Sequence, residues 1–311
     1  IREDEKIHIE GKNARAGVVV LEESSVTATE NTLLCAALLP GTTEIHLSAV
    51  EPHVQELMRL LTMMGAPTRW KDVGVIAIEG QEKLKGATFR INPDELEFSS
   101  FAALAAATRS EILIRGIEPR YSDAILLQLA KMGVEYRLDG TNLAIEKPRK
   151  PYQGFRLQSG LYPKLVSDHL PPFAVLATQA EGESLIHEWL YDGRLRYVEE
   201  LKKMGASATI LDPHRALIIG PTPLYGAELA SLDVRSGMTL VIAGLVAEGE
   251  TVLTDVHHID RGYERIDERL RAIGAQTPTF AVRLGPLGAF PNVTRPRVLW
   301  RRSARCEKSC K

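Results

Sequence analysis

The chain has 311 residues, of which 44% are hydrophobic and 25% charged, so it is long enough for two globular domains with a large core. Its net charge of −2 is unevenly distributed: residues 276–311 carry eight Arg/Lys and one Glu, which leaves residues 1–275 with a net charge of −9. The acidic charge of residues 1–275 argues against a nucleic-acid-binding role. No apolar run reaches the about 20 residues of a membrane helix, and three cysteines provide no disulfide framework; these features predict a cytoplasmic location without membrane insertion.

One phrase of sequence recurs four times along the chain: an amphipathic helix that ends at a glycine and is followed by a strand. The glycines are Gly65, Gly133, Gly205 and Gly274, spaced 68, 72 and 69 residues apart. The residues one, four and eight positions before each glycine are all apolar: Met64, Leu61, Leu57; Met132, Leu129, Ile125; Met204, Leu201, Tyr197; Ile273, Leu270, Ile266. This spacing predicts a helix with one buried face, which ends at glycine because glycine adopts the left-handed conformation easily.

A more uniformly apolar helix precedes each phrase. The four runs are ENTLLCAAL (30–38), SFAALAAA (100–107), PFAVLATQ (172–179) and TLVIAGLV (239–246). An alternating strand follows each run, and two more strands follow the second helix, for instance at 74–80 and 86–91. One unit therefore has the pattern α-β-α-β-β with a further strand at its front, which predicts packed α/β units. The alternative is a solenoid of stacked repeats, whose units usually have only about 20–50 residues.

Six stretches carry a resemblance to a known family. They are SSVTATENTLLCAALLPGTTEI (24–45), EPHVQEL (51–57), YPKLVSD (162–168), DGRLRYVEELKKMGA (192–206), LDVRSG (232–237) and HHIDRGYERIDERLRAIGA (257–275). They are similar to motifs of the enolpyruvyl transferases, most of all to the members that use UDP-N-acetylglucosamine as acceptor. The resemblance implies an α/β (α+β) fold of repeated βαβαββ units in two globular lobes, an inside-out barrel with the active site in the crevice between them. Four of the family's usual six units are visible in this sequence.

The resemblance also implies the domain boundaries. Residues 1–92 correspond to the last repeat unit of the N-terminal lobe and residues 93–275 to the second lobe, with three repeat units. Residues 276–311 form an atypical basic tail without a helical or strand period, which we expect to be poorly ordered. The chain begins at Ile1 and not at methionine, so we expect it to start inside a longer protein. The family's first two units carry a lysine and a cysteine loop that serve the reaction; Cys35 is expected to be a buried, inert thiol, and residues 1–311 alone to be inactive.

The family's reaction moves the enolpyruvyl group of phosphoenolpyruvate to the 3′-hydroxyl of UDP-N-acetylglucosamine and releases phosphate. It is the first committed step of peptidoglycan synthesis, and so implies a role in the bacterial cell wall, cell shape and cell division. The two small molecules are the expected partners, and no cofactor or metal is expected. Two alternatives remain open: a UDP-sugar-binding fragment without turnover, and the sister enzyme that makes 5-enolpyruvylshikimate 3-phosphate.

Three arginines are candidate ligands for these anionic substrates. Arg194 and Arg261 stand at the predicted starts of amphipathic helices, where a positive side chain is unusual unless an anion also binds there. Local pairing with Asp192 or Asp260, each a possible helix cap, is the alternative. The resemblance implies substrate binding by Arg194, a catalytic role for Arg261, and a clamp on phosphoenolpyruvate by Arg235 of LDVRSG.

Two carboxylates complete the candidate site. Asp168 in YPKLVSDHLPPF precedes two prolines and an apolar helix, so it is a candidate helix N-cap. The resemblance implies that it is also the general base that accepts the proton of the sugar hydroxyl, and the two roles are compatible. Asp233, two residues before Arg235 and on the same predicted strand face, is expected to orient the arginines or to be a plain surface carboxylate.

Contacts with the nucleotide sugar are implied at two places. Ser25, Val26 and Thr27 match the family's contact with the UDP diphosphate, although Thr27 stands where many members have glycine. Leu190 and Tyr191 match positions that line the sugar and uracil side of the site, with simple packing as the alternative.

Overall fold

The computed structural model describes residues 2–3, 6–7, 11–275, 288–290 and 298–300. The chain divides between Asn92 and Pro93 into two compact units. Helices and sheets alternate in both, which confirms the predicted α/β class.

The first unit contains one complete repeat, preceded by the antiparallel pair β1 (Arg2–Glu3) and β2 (Lys6–Ile7). The repeat consists of β3 (Val18–Val20), α1 (Val26–Ala36), β4 (Gly41–His46), α2 (Pro52–Met64), β5 (Thr68–Asp72) and β6 (Val75–Gly80). Its sheet has the order β3-β4-β6-β5, in which only the β3–β4 pair is parallel. The buried side chains of α1, α2 and β6 form the core of this unit.

The second unit contains three repeats. The first has α3 (Glu95–Ala107), β7 (Ile112–Arg115), a 3₁₀ turn at Pro119–Tyr121, α4 (Asp123–Lys131), β8 (Tyr136–Asp139) and β9 (Asn142–Ile145). The next has β10 (Arg156–Gln158), a 3₁₀ turn at Ser167–His169, α5 (Leu170–Gln179), β11 (Gly182–His187), α6 (Tyr197–Lys203), β12 (Ser207–Asp212) and β13 (Arg215–Gly220). The last has β14 (Glu228–Ala230), α7 (Val234–Val246), β15 (Thr251–Thr254), α8 (His257–Asp260) and α9 (Ile266–Ala275), followed by β16 (Gly288–Phe290) and β17 (Val298–Trp300).

The first helix of each repeat forms the centre of the second unit. Helices α3, α5 and α7 pack against one another in all three pairings. Nearly every residue of α5, and long continuous stretches of α3 and α7, are buried. A helix that is apolar on all sides is expected to be buried on all sides, which is why these segments read as uniformly apolar runs in the sequence.

The repeat topology recurs from sheet to sheet. The sheet β10-β11-β13-β12 has the same order and strand directions as the sheet of the first unit. The smaller sheet has the order β7-β9-β8 and is antiparallel throughout. In the last sheet, β14-β15-β17-β16, β17 is parallel to β15.

Two three-residue strands, β16 and β17, lie within residues 276–311, whose sequence has no strand period. They pair with each other and extend the sheet from β15. Ladder hydrogen bonds join backbone groups, so a segment without side-chain periodicity can form them along the edge of β15 that β14 leaves open. The rest of the predicted tail lies outside the described residues.

The glycine ends are confirmed in three of the four phrases. Gly65, Gly133 and Gly205 follow their helices with φ of 106°, 81° and 96°, in the left-handed region. In the fourth phrase the prediction is wrong, because α9 continues through Gly274 to Ala275.

Two further expectations in the first unit are corrected. Cys35 is exposed, because the buried face of α1 is formed by Thr29, Leu33 and Ala36, and position 35 lies about 200° around the helix from Leu33. Residues 86–91, predicted as a strand, have no regular structure. The chain leaves the sheet after β6, where the N–H of Gln81 donates to Ala37 on the helix side.

Gly80 is expected to be intolerant of any side chain. A Cβ atom there would collide with the backbone carbonyl oxygens of Ala36 and Leu39 at the end of α1, so Gly80→Ala should lower the free energy of unfolding by about 1–3 kcal/mol. Urea denaturation measures this. Gly86→Ala is the matched control, because its Cβ would meet nothing within 4 Å; equal effects of the two substitutions would contradict the close-approach explanation.

Candidate active site

Asp168 lies between two arginines from different repeats. Its carboxylate oxygens are separately paired: Oδ1 lies 2.7 Å from Arg194 Nη2, and Oδ2 accepts a hydrogen bond of 3.3 Å from Arg235 Nε. Asp168 belongs to the 3₁₀ turn Ser167–His169 before α5. The predicted N-cap role is not observed, since His169 occupies the N-cap position of α5 and makes no side-chain cap hydrogen bond. The carboxylate therefore faces the arginines and not the helix backbone.

Arg194 is positioned by a turn and not by a helix start. Helix α6 begins three residues later, at Tyr197, so the expected conflict between a positive side chain and the helix N-terminus does not arise. Arg194 pairs with Asp168, while Asp192, its predicted alternative partner, lies 2.8 Å from His214. The guanidinium also lies 5.0 Å from the centre of the Tyr191 ring, a cation–π distance.

Asp233 is the N-cap of α7, which corrects its predicted place on a strand face. Its Oδ1 accepts hydrogen bonds from the backbone N–H groups of Arg235 and Ser236, at 2.8 and 2.9 Å, and Ser236 Oγ donates to Oδ2 at 2.6 Å. Burial favours the neutral acid, but the hydrogen bonds from Ser236 and from the backbone outweigh it and lower the pKa of Asp233. An ionised cap at this point holds the first turn of α7 and, through its backbone, Arg235.

Arg235 is the most enclosed of the three arginines. Its side chain is 11% exposed and lies over the ring of Tyr263 at 5.4 Å. Burial works against its charge, but Tyr263 and the carboxylates of Asp168 and Asp94 outweigh it and raise the pKa of Arg235. Among the described residues, buried Nη1 has no hydrogen-bond partner.

His169, beside the carboxylate, was missed by sequence reasoning. Its ring is buried, and its Nδ1 lies 2.7 Å from Ser99 Oγ of α3. Burial is the main reason why the pKa of His169 is lowered to about 3, with Asp168 opposing and Arg235 adding to the shift. The ring is therefore neutral at physiological pH and contributes a fixed hydrogen bond.

The depressed pKa of His169 predicts a pH dependence of stability. In the unfolded chain the imidazole is protonated below about pH 6.5, whereas in the folded protein it is protonated only below about pH 3. The free energy of unfolding should therefore fall as the pH is lowered from about 6.5 to about 3. The contribution is at most about 1.4 kcal/mol per pH unit. His169→Asn should reduce this slope, as measured by urea denaturation between pH 7 and pH 4; an unchanged slope would show that the ring binds its proton over the same pH range in the folded and the unfolded protein.

Glu188 is a second residue that sequence reasoning missed. Its buried Oε1 accepts hydrogen bonds from Ser159 Oγ (3.1 Å), Ser167 Oγ (2.7 Å) and the N–H groups of Leu190 (2.8 Å) and Tyr191 (3.2 Å). It therefore ties the turn that carries Asp168 to the segment that leads to Arg194. The available signal was a carboxylate directly after strand β11, because a carboxylate that becomes buried there needs several hydrogen-bond donors.

Leu190 and Tyr191 differ in exposure. Tyr191 is 54% exposed, so its side chain is not packed in a core, whereas Leu190 is partly buried. Their backbone N–H groups are fixed by Glu188. Simple packing therefore does not account for Tyr191, and its expected role toward the sugar and uracil stays a prediction.

Four of the predicted residues are not part of this cluster. Arg261 is exposed and follows the last residue of α8, Asp260, so it lies neither at the start of α9 nor behind a cap aspartate. Ser25, Val26 and Thr27 belong to the first unit. Ser25 is the N-cap of α1, where its Oγ accepts from the N–H of Ala28 at 3.3 Å.

The described residues contain neither a cluster of three or more potential metal ligands nor a helix long and apolar enough to cross a membrane. The chemistry available to the cluster is that of a carboxylate base and guanidinium groups. A carboxylate of this kind can accept a proton, and guanidinium groups bind carboxylate or phosphate through parallel hydrogen bonds.

The chain is similar to several known proteins. UDP-N-acetylglucosamine 1-carboxyvinyltransferase of Treponema denticola is 43% identical over 266 residues, covering 83% of this chain and 62% of the relative. The protein of the same name from Borrelia garinii is 36% identical over 283 residues, covering 89% of this chain and 66% of the relative. In the crystal structure of the enolpyruvyl transferase NikO from Streptomyces tendae, the matching region has a TM-score of 0.72 at 25% identity and covers 80% of this chain and 59% of that one.

The resemblance found in the sequence motifs is therefore confirmed, although the chain spans only 62% and 66% of the length of these two curated relatives. The model of the family described as EPSP synthase (3-phosphoshikimate 1-carboxyvinyltransferase) matches residues 2–270. With this match over most of its length, the chain belongs to the EPSP synthase family of carboxyvinyl transferases.

Proposed function

We propose that the chain serves the transfer of the enolpyruvyl group of phosphoenolpyruvate to the 3′-hydroxyl of UDP-N-acetylglucosamine, with release of phosphate. The observation that carries the proposal is the Asp168 carboxylate between Arg194 and Arg235. The relatives named for a UDP-N-acetylglucosamine acceptor support the choice of acceptor.

Asp168 acts as the general base. The reaction needs a group that takes the proton of the 3′-hydroxyl as its oxygen attacks C2 of phosphoenolpyruvate while C3 gains a proton. The side chain of Asp168 is 30% exposed, which keeps the carboxylate accessible to a substrate hydroxyl. The tetrahedral adduct then expels phosphate as C3 loses a proton, which restores the enol ether.

The arginines bind the anionic groups of the donor. Arg235, with its buried Nη1 lacking a partner among the described residues, is suited to the carboxylate or phosphate of phosphoenolpyruvate. Arg194, in the turn next to Tyr191, lies toward the side assigned to the nucleotide sugar. Arg261, by family resemblance, adds a further cation for the departing phosphate.

For the nucleotide sugar, the proposed contacts are those that the family resemblance implies. Ser25, Val26 and Thr27 at the N-terminus of α1 offer hydroxyl and backbone N–H donors to the diphosphate. Leu190 and Tyr191 contact the sugar and uracil. The reaction places the protein in bacterial peptidoglycan synthesis in the cytoplasm, and through it in cell shape and cell division.

The test uses the purified chain with phosphoenolpyruvate and either UDP-N-acetylglucosamine or shikimate 3-phosphate. Calorimetry measures phosphoenolpyruvate binding, and a phosphate assay measures turnover. Binding that requires UDP-N-acetylglucosamine supports the substrate assignment, and phosphate release extends it to turnover. Binding without release makes residues 1–311 a UDP-sugar-binding fragment. A response only to shikimate 3-phosphate would overturn the acceptor, and the absence of any response would overturn the proposal.

A further inference from the structure

Two adjacent serines of α3 reach the two halves of the candidate site. Ser99 and Ser100 are both fully buried. Ser99 Oγ lies 2.7 Å from His169 Nδ1, and Ser100 Oγ lies 2.7 Å from the hydroxyl of Tyr263. These bonds span 70 and 163 residues of sequence. They connect α3 to a turn of the next repeat and to a loop of the last.

The Ser99 bond acts on the turn that carries the base. His169 directly follows Asp168 within the 3₁₀ turn Ser167–His169. A buried neutral imidazole has two ring nitrogens to satisfy, and the serine satisfies Nδ1. Fixing the ring fixes the backbone of the turn and, with it, the direction of the Asp168 side chain.

The Ser100 bond acts on the enclosed cation. Tyr263 is fully buried, and its ring forms the surface on which the Arg235 guanidinium lies, at 5.4 Å. The loop approaches α7 closely here, since a Cβ on Gly262 would collide with Val234. The hydroxyl of Ser100 thus holds the tyrosine, and the tyrosine supports the arginine.

Hydrogen bonds within α3 do not by themselves explain why two serines occupy these buried positions. The neighbouring buried positions of α3 are Phe98, Phe101 and a run of alanines broken by Leu104. Each serine hydroxyl also lies within bonding distance of the Leu96 carbonyl, at 3.0 and 2.9 Å. Those local bonds would exist without His169 and Tyr263, so the second contact of each hydroxyl is what ties α3 to the site.

We infer that Ser99 and Ser100 are positioning residues with separate tasks, Ser99 for the base Asp168 and Ser100 for the anion-binding Arg235. The inference rests on the proposed function. The repeat that contains α3 supplies none of the candidate catalytic or binding residues. The inference gives this repeat a role, because it supports the turn that carries Asp168 and the helix that carries Arg235.

The test compares Ser99→Ala, Ser100→Ala and Thr108→Ala. The Thr108 hydroxyl, just after the last residue of α3, lies 2.7 Å from the Leu104 carbonyl, 3.3 Å from the Ala105 carbonyl and 3.0 Å from Ser110 Oγ. This control therefore removes only local bonds, at the end of α3 opposite to the two serines. Ser100→Ala should weaken phosphoenolpyruvate binding about three- to tenfold, as expected for one lost neutral hydrogen bond. Ser99→Ala should leave that binding unchanged and shift the ¹⁵N resonance of His169 Nδ1. In a protein restored with the family's first two repeat units, Ser99→Ala should also lower kcat by a similar factor. Ser100→Ala should not shift that resonance.

The outcomes separate this inference from the proposed function. If the wild-type chain does not bind phosphoenolpyruvate, the proposed function fails first. If the wild type binds and both serine variants behave like Thr108→Ala, or if both weaken binding equally, the division of tasks is wrong. The His169 resonance needs no turnover, so an unchanged resonance in Ser99→Ala would by itself overturn the Ser99 assignment.

Discussion

Replacing Asp168 by asparagine, in a protein restored with the family's first two repeat units, is expected to lower turnover by about 10²- to 10⁴-fold, the usual contribution of a general base. Phosphoenolpyruvate binding should stay as tight as in the unsubstituted protein or become tighter. The amide cannot accept the proton of the acceptor hydroxyl. It also removes a negative charge that lies 2.7 Å from Arg194 and 3.3 Å from Arg235. Both cations then interact more strongly with an anionic ligand.

The measurement pairs phosphate release with calorimetric binding of phosphoenolpyruvate in the presence of UDP-N-acetylglucosamine. Asp192→Asn is the control, because this carboxylate is 87% exposed and pairs with His214 outside the cluster. Turnover that survives in Asp168→Asn would remove the assignment of the base. Weaker binding would show that the carboxylate mainly holds the arginines in place.

Arg235→Gln should weaken phosphoenolpyruvate binding by about 10- to 150-fold, which corresponds to about 1.5–3 kcal/mol for a hydrogen bond to a charged group. The Arg235 side chain is 11% exposed and its guanidinium lies over the ring of Tyr263, so its interaction with an anion is little screened by solvent. Arg235→Lys should recover only part of the affinity, because an ammonium group lacks the planar fork that binds carboxylate or phosphate with two hydrogen bonds.

Arg196→Gln provides the matched control for Arg235. This arginine is exposed and lies two residues beyond Arg194, so its loss changes the net charge equally without touching the cluster. Calorimetry at two salt concentrations separates a local contact from a general charge effect, since exposed charges respond more strongly to salt. Equal losses in the two variants would mean that Arg235 acts only through long-range charge.

The elements that sequence predicted best are those with local causes. The apolar spacing before Gly65, Gly133 and Gly205 and the left-handed glycine itself define each helix and its end within one stretch of chain. The uniformly apolar helices α3, α5 and α7 were predicted equally well from the sequence. Cys35 shows the limit: its neighbours are apolar, but which side of α1 is covered depends on what packs there.

The site was predictable only in part. The motifs pointed to Asp168, Arg194 and Arg235, but the reasons assigned to two of them were wrong. Arg194 is not at a helix start, and Asp168 is not a helix cap. Asp233 reads as a strand residue in LDVRSG, whereas the structure makes it the cap of α7. These helix starts were misplaced by up to about one turn, because the first residue of a helix depends on capping hydrogen bonds that the apolar spacing of the sequence does not show.

By itself, the sequence determined the four-fold repeat, the α/β class, the amphipathic faces and the motifs that mark the family. These properties follow from the order of residues along short segments, where side-chain spacing and glycine conformations act locally. Only the tertiary structure decided that one carboxylate receives two arginines from positions 26 and 67 residues away, and that Ser99, Ser100, Glu188 and His169 surround them. Contacts of that kind arise when repeats pack together, and their hydrogen bonds depend on distances of a few tenths of an ångström that no periodicity encodes.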